Sequence, residues 1–190
     1  MSPFFENPFV EGKLRFDFPD GGLATRYDRW DTHVFVFATR EKKTAVDFLY
    51  PDKLNGLLYL TEIKDFDRID KKGRYKNGTY SQELLEDVAQ KFHDTIEGIS
   101  NSNRLTQSEE KTFVRTVASF DRRAVFHWEV KPSIRLDIRK KMLVDMQTAL
   151  RARLHKLKSV VHVRVMNIKD TKPSQRPWSV KRIREKQCAL

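Results

Sequence analysis

The chain has 190 residues, 39% of them hydrophobic and 33% charged, with a formal net charge of +11. That length and mix suit one globular domain with a sizeable core and exclude a low-complexity chain. No apolar run approaches the ~20 residues of a membrane span, and the start "MSPFFENPFVEGKL" lacks the basic head and small-residue cleavage site of a signal peptide.

Elements follow in chain order. "LATRYDRW" (23–30) suggests a short helix. "HVFVFA" (33–38) and "TAVDFLY" (44–50), rich in Val and Phe, flank the charged "TREKK" and predict a β-hairpin. "PDKLNG" (51–56) is a turn, and "LLYLTEIKDF" (57–66) a third strand. "DRIDKKGRYKNGTY" (67–80) is charged and contains Gly, which predicts a surface loop. Ser81 is placed to N-cap a helix whose apolar positions Leu84, Leu85, Val88, Phe92 and Ile96 recur at helical spacing, with Gly98 near its end. A shorter helix is expected around 107–119, and "RAVFHWEV" (123–130) is a fourth strand with Trp128 in the core. Pro132 and Ser133 lead into a long amphipathic helix over 134–157, striped by Ile134, Ile138, Met142, Met146, Ala149, Leu150, Leu154 and Leu157. "SVVHVRVMNI" (159–168) is a fifth strand. The expected fold is α/β, a mixed central β-sheet flanked by helices. Residues 1–175 form one domain and 176–190 a basic C-terminal tail.

The third strand ends in a polar pattern. Side chains alternate along a strand, so Leu58, Leu60, Glu62 and Lys64 share one face. On the preceding strand Asp47 shares a face with Ala45 and Leu49. If the two strands pair, Asp47 lies beside Glu62. Two close carboxylates repel unless a cation sits between them. Mg²⁺ suits, because it takes hard oxygen ligands and is often held by one or two carboxylates. Such an ion polarises a phosphate oxygen and activates water, and a lysine on the same face can stabilise the reacting charge. The competing reading of Asp47, Glu62 and Lys64 is an ordinary ion-pair cluster at a sheet edge.

Asp47, a turn, then Glu62-Ile63-Lys64 on the next strand resembles the signature of the PD-(D/E)XK nuclease superfamily, with its restriction-endonuclease-like core. The stretch "KTAVDFLYPDKLNGLLYLTEIKDF" is similar to small bacterial members without an established activity, well over residues 25–100 and more loosely through "RPWSV". The resemblance implies that Asp47 and Glu62 are metal ligands, with the carbonyl of Ile63 completing the set. It implies that Lys64 is the catalytic lysine and that Mg²⁺ or Mn²⁺ is the cofactor. Val46 stands where the name-giving proline would be. An additional acid from a first helix would fall to Asp28 or Asp31, and a polar residue from the following helix to Glu86 or Gln90. The implied activity is hydrolysis of DNA phosphodiester bonds by an endonuclease, with antiviral defence as a role drawn from the resemblance alone. A homodimer fits, because two sites are needed to cut both strands; a partner protein is the other possibility. The alternative is an inactive nuclease-fold protein acting as a nucleic-acid-binding or assembly subunit.

Charge points the same way. Residues 1–130 hold 20 Lys+Arg against 22 Asp+Glu, whereas 131–190 hold 17 against 4. An excess confined to the last third suggests a polyanion, DNA ahead of RNA, and on the long helix Arg135, Arg139 and Lys140 are the phosphate-contact candidates. A merely solvated basic face is the rival reading. Trp178, between Pro177 and the basic tail, either stacks on a base or pins the tail to the domain. His33, His93, His127, His155 and His162 show no metal-binding spacing, and no phosphate-binding glycine loop is present. The one cysteine, Cys188, excludes an internal disulfide framework, so a cytoplasmic protein without a membrane partner is expected.

Overall fold

A computed structural model describes residues 4–66, 81–130, 134–159 and 161–183. The expected loop over 67–80, the Pro132–Ser133 lead-in and Cys188 lie outside the described residues. Two sheets form. The larger has four strands in the order β3 (Phe48–Asp52), β4 (Leu57–Asp65), β5 (Asp121–Glu129) and β6 (His162–Met166). β3 is antiparallel to β4, while β4, β5 and β6 run parallel, so the sheet is mixed. The connections between the parallel strands carry helices: α2 (Gln82–Ser100) and α3 (Ser108–Thr116) between β4 and β5, and α4 (Leu136–Lys156) between β5 and β6.

Alternation along the strands builds two cores. Leu58, Leu60, Ala124, Phe126, Trp128, Val163 and Val165 face α2 and α4, where they meet Leu85, Val88, Phe92, Met146, Leu150 and Leu154. Phe48, Tyr50, Ile63, Val125 and Met166 face the other way, onto a second sheet. That antiparallel sheet joins β1 (Phe9–Glu11), β2 (Leu14–Asp17) and β7 (Ser179–Arg182). The basic segment expected as a tail from 176 therefore begins with a strand: Leu14 pairs with Arg182 and Phe16 with Val180. Trp178 is 3% exposed and meets the rings of Phe16, Phe18, Phe48, Tyr50 and Tyr59, so it pins this segment to the domain.

Ser81 caps α2 as expected, its hydroxyl accepting the N–H of Leu84 at 3.1 Å. Gly98 lies in the last turn of that helix, which ends at Ser100, and a Cβ there would come 2.1 Å from the Tyr27 hydroxyl. The free edge of β6 is dressed by α4: Gln147 accepts the N–H of Val165 at 3.3 Å, and Arg151 donates to the carbonyl of Val163 at 3.4 Å.

The expected hairpin over 33–50 does not form. His33–Ala38 is a π-helical segment running into the short α1 (Thr39–Glu41), which ends at Lys42 with φ of 57°. His33 and Phe37, four residues apart, are buried, whereas Phe35 is 64% exposed. Tertiary contacts override the β propensity of this Val/Phe run. Thr32 gives both its N–H and its hydroxyl to Glu110 of α3, and the hydroxyl also accepts from Thr106, which fixes the start of the segment. Among the described residues, no helix is long and apolar enough to cross a membrane.

Candidate functional site

The third strand forms as read, and its pleat sends Glu62 and Lys64 to the helix-facing side. Leu58 and Leu60 precede them on that face, both buried, and Glu62 is itself 0% exposed. A carboxylate in such a place needs a partner. Its Oε1 has two: Lys64 Nζ at 2.7 Å and Lys91 Nζ at 2.9 Å. Its Oε2 is buried with no hydrogen-bond partner among the described residues.

Asp47 reaches the same place from a bend just before β3. The chain is led there by α2: Asp94 accepts the N–H and hydroxyl of Thr44 at 2.8 and 3.0 Å, and Thr95 accepts the N–H of Val46 at 3.2 Å. The backbone of Leu49 then exchanges hydrogen bonds with Thr25. Phe48 faces Thr61 in the ladder, so the next rung sets Asp47 against Glu62. Asp47 Oδ2 accepts the N–H of Ile63 at 2.6 Å. Because the N–H and C=O of one strand residue point to the same edge, the Ile63 carbonyl faces that edge too. Burial, then the charge of Glu62, pushes the Asp47 carboxyl up to about 7 against the hydrogen bond from Ile63.

Two more acids act on the centre. Asp28, in the short turn Tyr27–Arg29, has its carboxyl raised by the surrounding protein and by Glu11, with Arg26, Arg29 and Lys91 opposing. Glu11, at the end of β1, also raises Asp47. Burial acts against the Lys91 ammonium, but Glu62 first, then Asp47 and Asp28, hold its pKa above the ordinary lysine value. Among the described residues the cluster thus sets Asp47, Glu62, Asp28 and Glu11 against the ammonium groups of Lys64 and Lys91 and the guanidinium of Arg26, which pairs with Glu11 at 3.0 Å. It stands at the carboxyl end of a parallel strand, where open α/β sheets bind ligands.

A divalent cation fits this donor set. Glu62 Oε2 is an orphaned buried oxygen, the Asp47 carboxyl is raised by burial and then by the Glu62 charge, and the Ile63 carbonyl lies on the same edge. Among the described residues, no group of three or more His, Cys, Asp or Glu side chains converges on a common point for a metal. Two carboxylates and a carbonyl are the oxygen groups that the described residues bring together there.

Other candidates lie elsewhere. Asp31 accepts from Gln107 at 2.8 Å, Glu86 stands 3.9 Å from Arg153, and Gln90 donates to Asp94 at 2.7 Å. The residue that α2 does send to the site, Lys91, follows Gln90 directly and borders the buried stripe Val88, Ala89 and Phe92. A cation beside an apolar helix stripe was its only mark in the sequence. Glu11 had none, because β1 was not foreseen.

The proposed basic face of α4 needs one correction. Arg139 is 8% exposed and forks onto Asp170 at 2.9 and 3.0 Å, while also donating to the Ile134 carbonyl. Its guanidinium is committed inside the domain and is not presented to a phosphate. Arg135 is exposed and paired with Asp137 at 2.9 Å, and Lys140 is exposed.

No family model, no curated protein and no solved structure matches this chain. The fold class is mixed α/β, a four-stranded mixed sheet between helices and a three-stranded antiparallel sheet.

Proposed function

We propose that the protein is a metal-dependent nuclease of restriction-endonuclease-like type that hydrolyses DNA phosphodiester bonds at Asp47, Glu62 and Lys64. The observation that carries this reading is the pairing of a fully buried Glu62, one oxygen orphaned, with an Asp47 carboxyl raised first by burial and then by the charge of Glu62. Asp47, Glu62 and the Ile63 carbonyl would hold Mg²⁺ or Mn²⁺. A cation there would neutralise charge on a phosphate and activate water for attack. The residues themselves do the rest. Asp47 is fixed by the Ile63 N–H, Glu62 is fixed by two ammonium groups, and Lys64, one-third exposed, can turn from Glu62 towards a phosphate oxygen.

A second reading has its own observation. Both lysines already compensate Glu62, which suits an inactive nuclease-fold protein that binds nucleic acid or serves an assembly. The basic last third supports a polyanion partner under either reading. Incubation of the protein and of Asp47→Asn with plasmid, linear and single-stranded DNA in Mn²⁺ decides between them. Cleavage by the wild type alone supports the nuclease. DNA retention without cleavage supports the binding subunit.

A further inference from the structure

We propose that Lys91 is an internal counter-cation of the Asp47–Glu62 centre, holding with its ammonium the electrostatic place of a divalent ion, so that lysine and metal compete for Glu62. The inference rests on the metal-centre reading of Asp47 and Glu62 and deepens it.

Glu62 is a carboxylate with no exposed surface, and burying an ion without a partner is costly. Lys64 comes to it from two residues along the same strand, as the pleat dictates. Lys91 is different. It crosses from α2, 29 positions away in sequence, to place its ammonium 2.9 Å from the same Oε1. Asp47 and Asp28 act on that ammonium as well, so its charge serves three carboxyl groups, one of them shared with Lys64. A divalent cation entering the cluster is drawn to the same groups and repelled by the ammonium.

The lysine can give way. Its helix neighbours Val88 and Phe92 are buried, its own side chain is 25% exposed, and four flexible carbons let the head withdraw to solvent. Lys64 also pairs with Glu62, but on the metal-centre reading it lies on the strand beside Glu62 to act on the reacting group, so Lys91 is the lysine whose only part is the charge of the cluster. The rival account makes Lys91 a positioning residue that aims Glu62 at the metal. The two accounts predict opposite signs. Removing a competitor strengthens metal binding, whereas removing a positioning group weakens it.

The experiment is calorimetric titration of Mn²⁺ into the full chain and into Lys91→Met, Lys91→Gln and Asp47→Asn, with melting in chelator and in Mn²⁺. Met keeps the stem and removes the charge; Gln keeps a donor to Glu62 and serves if the Met variant does not fold. Competition requires that the Lys91 variants bind Mn²⁺ at least about tenfold tighter than the wild type. They should also melt lower in chelator and gain more from Mn²⁺. Binding by a Lys91 variant alone supports the inference most strongly. Equal or weaker binding by the variants, when Asp47→Asn abolishes wild-type binding, overturns it and leaves the metal centre standing. No Mn²⁺ binding by either wild type or variants overturns the metal centre and this inference with it.

Discussion

Asp47 Oδ2 accepts the backbone N–H of Ile63 at 2.6 Å, and that one contact fastens the bend before β3 to the strand that carries Glu62 and Lys64. Asp47→Asn keeps an acceptor oxygen for this contact and loses the charge. The carboxyl rises from 3.8 to about 7 in the folded protein. Between those values the folded state holds a proton that the unfolded state has lost. Unfolding therefore releases a proton, and this group's contribution to stability falls as pH rises from about 4 to about 7. At pH 8 without metal, Asp47→Asn should be more stable than wild type, by at most about 4 kcal/mol. At pH 4 the gap should close. Denaturant titrations of both proteins in chelator across this range check it, and a constant gap would show that Asp47 is not the group responsible.

If the centre cleaves DNA, Lys64→Ala should lower kcat by about 10²–10⁴-fold with little change in DNA affinity. Lys64→Arg should not restore it, since a planar fork does not replace a point charge. Single-turnover cleavage in Mn²⁺ gives the answer. Undiminished cleavage by Lys64→Ala excludes the lysine from the chemistry.

Arg139 and Lys140, adjacent in sequence, should respond in opposite ways. Arg139→Met leaves Asp170, whose side chain is 1% exposed, without its fork, and should cost about 3–5 kcal/mol in a denaturant titration. Reversing Arg135 and Lys140 to Glu should leave stability nearly unchanged. If this end of α4 touches DNA, the double variant should bind duplex DNA more weakly and with a flatter salt dependence by fluorescence anisotropy. An unchanged salt slope moves the DNA surface elsewhere.

Gly98→Ala tests the packing of α2 on the N-terminal segment. The added Cβ would meet the Tyr27 hydroxyl at 2.1 Å and the Phe37 ring at 3.2 Å. Both rings are buried, so the clash cannot be relieved towards solvent, and a loss of about 1–3 kcal/mol is expected. The variant should keep its helical circular dichroism while its melting point falls. An undisturbed melting point would mean that Tyr27 can swing away.

The parts legible in the sequence are those with a long, strong period. β4 reads from its alternation, and the same alternation places Glu62 and Lys64 on one face. α2 reads from its cap and its stripe. The parts that were hidden have another physical origin. β1, β2 and β7 are three or four residues long, and their pairing joins Leu14 to Arg182 across nearly the whole chain. Local pattern carries no trace of such a partner. His33–Ala38 has a strand's composition and a helix's contacts, because Thr32 is held by Glu110 from far along the chain. Lys91 escaped notice because a lysine beside an apolar stripe is common, and only the fold shows what lies opposite it.

The joining of β2 to β7 also sets an order of events during synthesis. The strands of the large sheet and their helices precede residue 167, so they leave the ribosome before the strand that completes the small sheet. Until Trp178 and Val180 emerge, Phe16, Phe48 and Ile63 lack the residues that cover them. Arg182 comes later still, and its guanidinium grips Asp65, the neighbour of Lys64, through two contacts of 3.0 Å. The strand end that bears Glu62 and Lys64 is braced from behind by a residue made long after it, so a growing chain lacks that brace until residue 182 has been added.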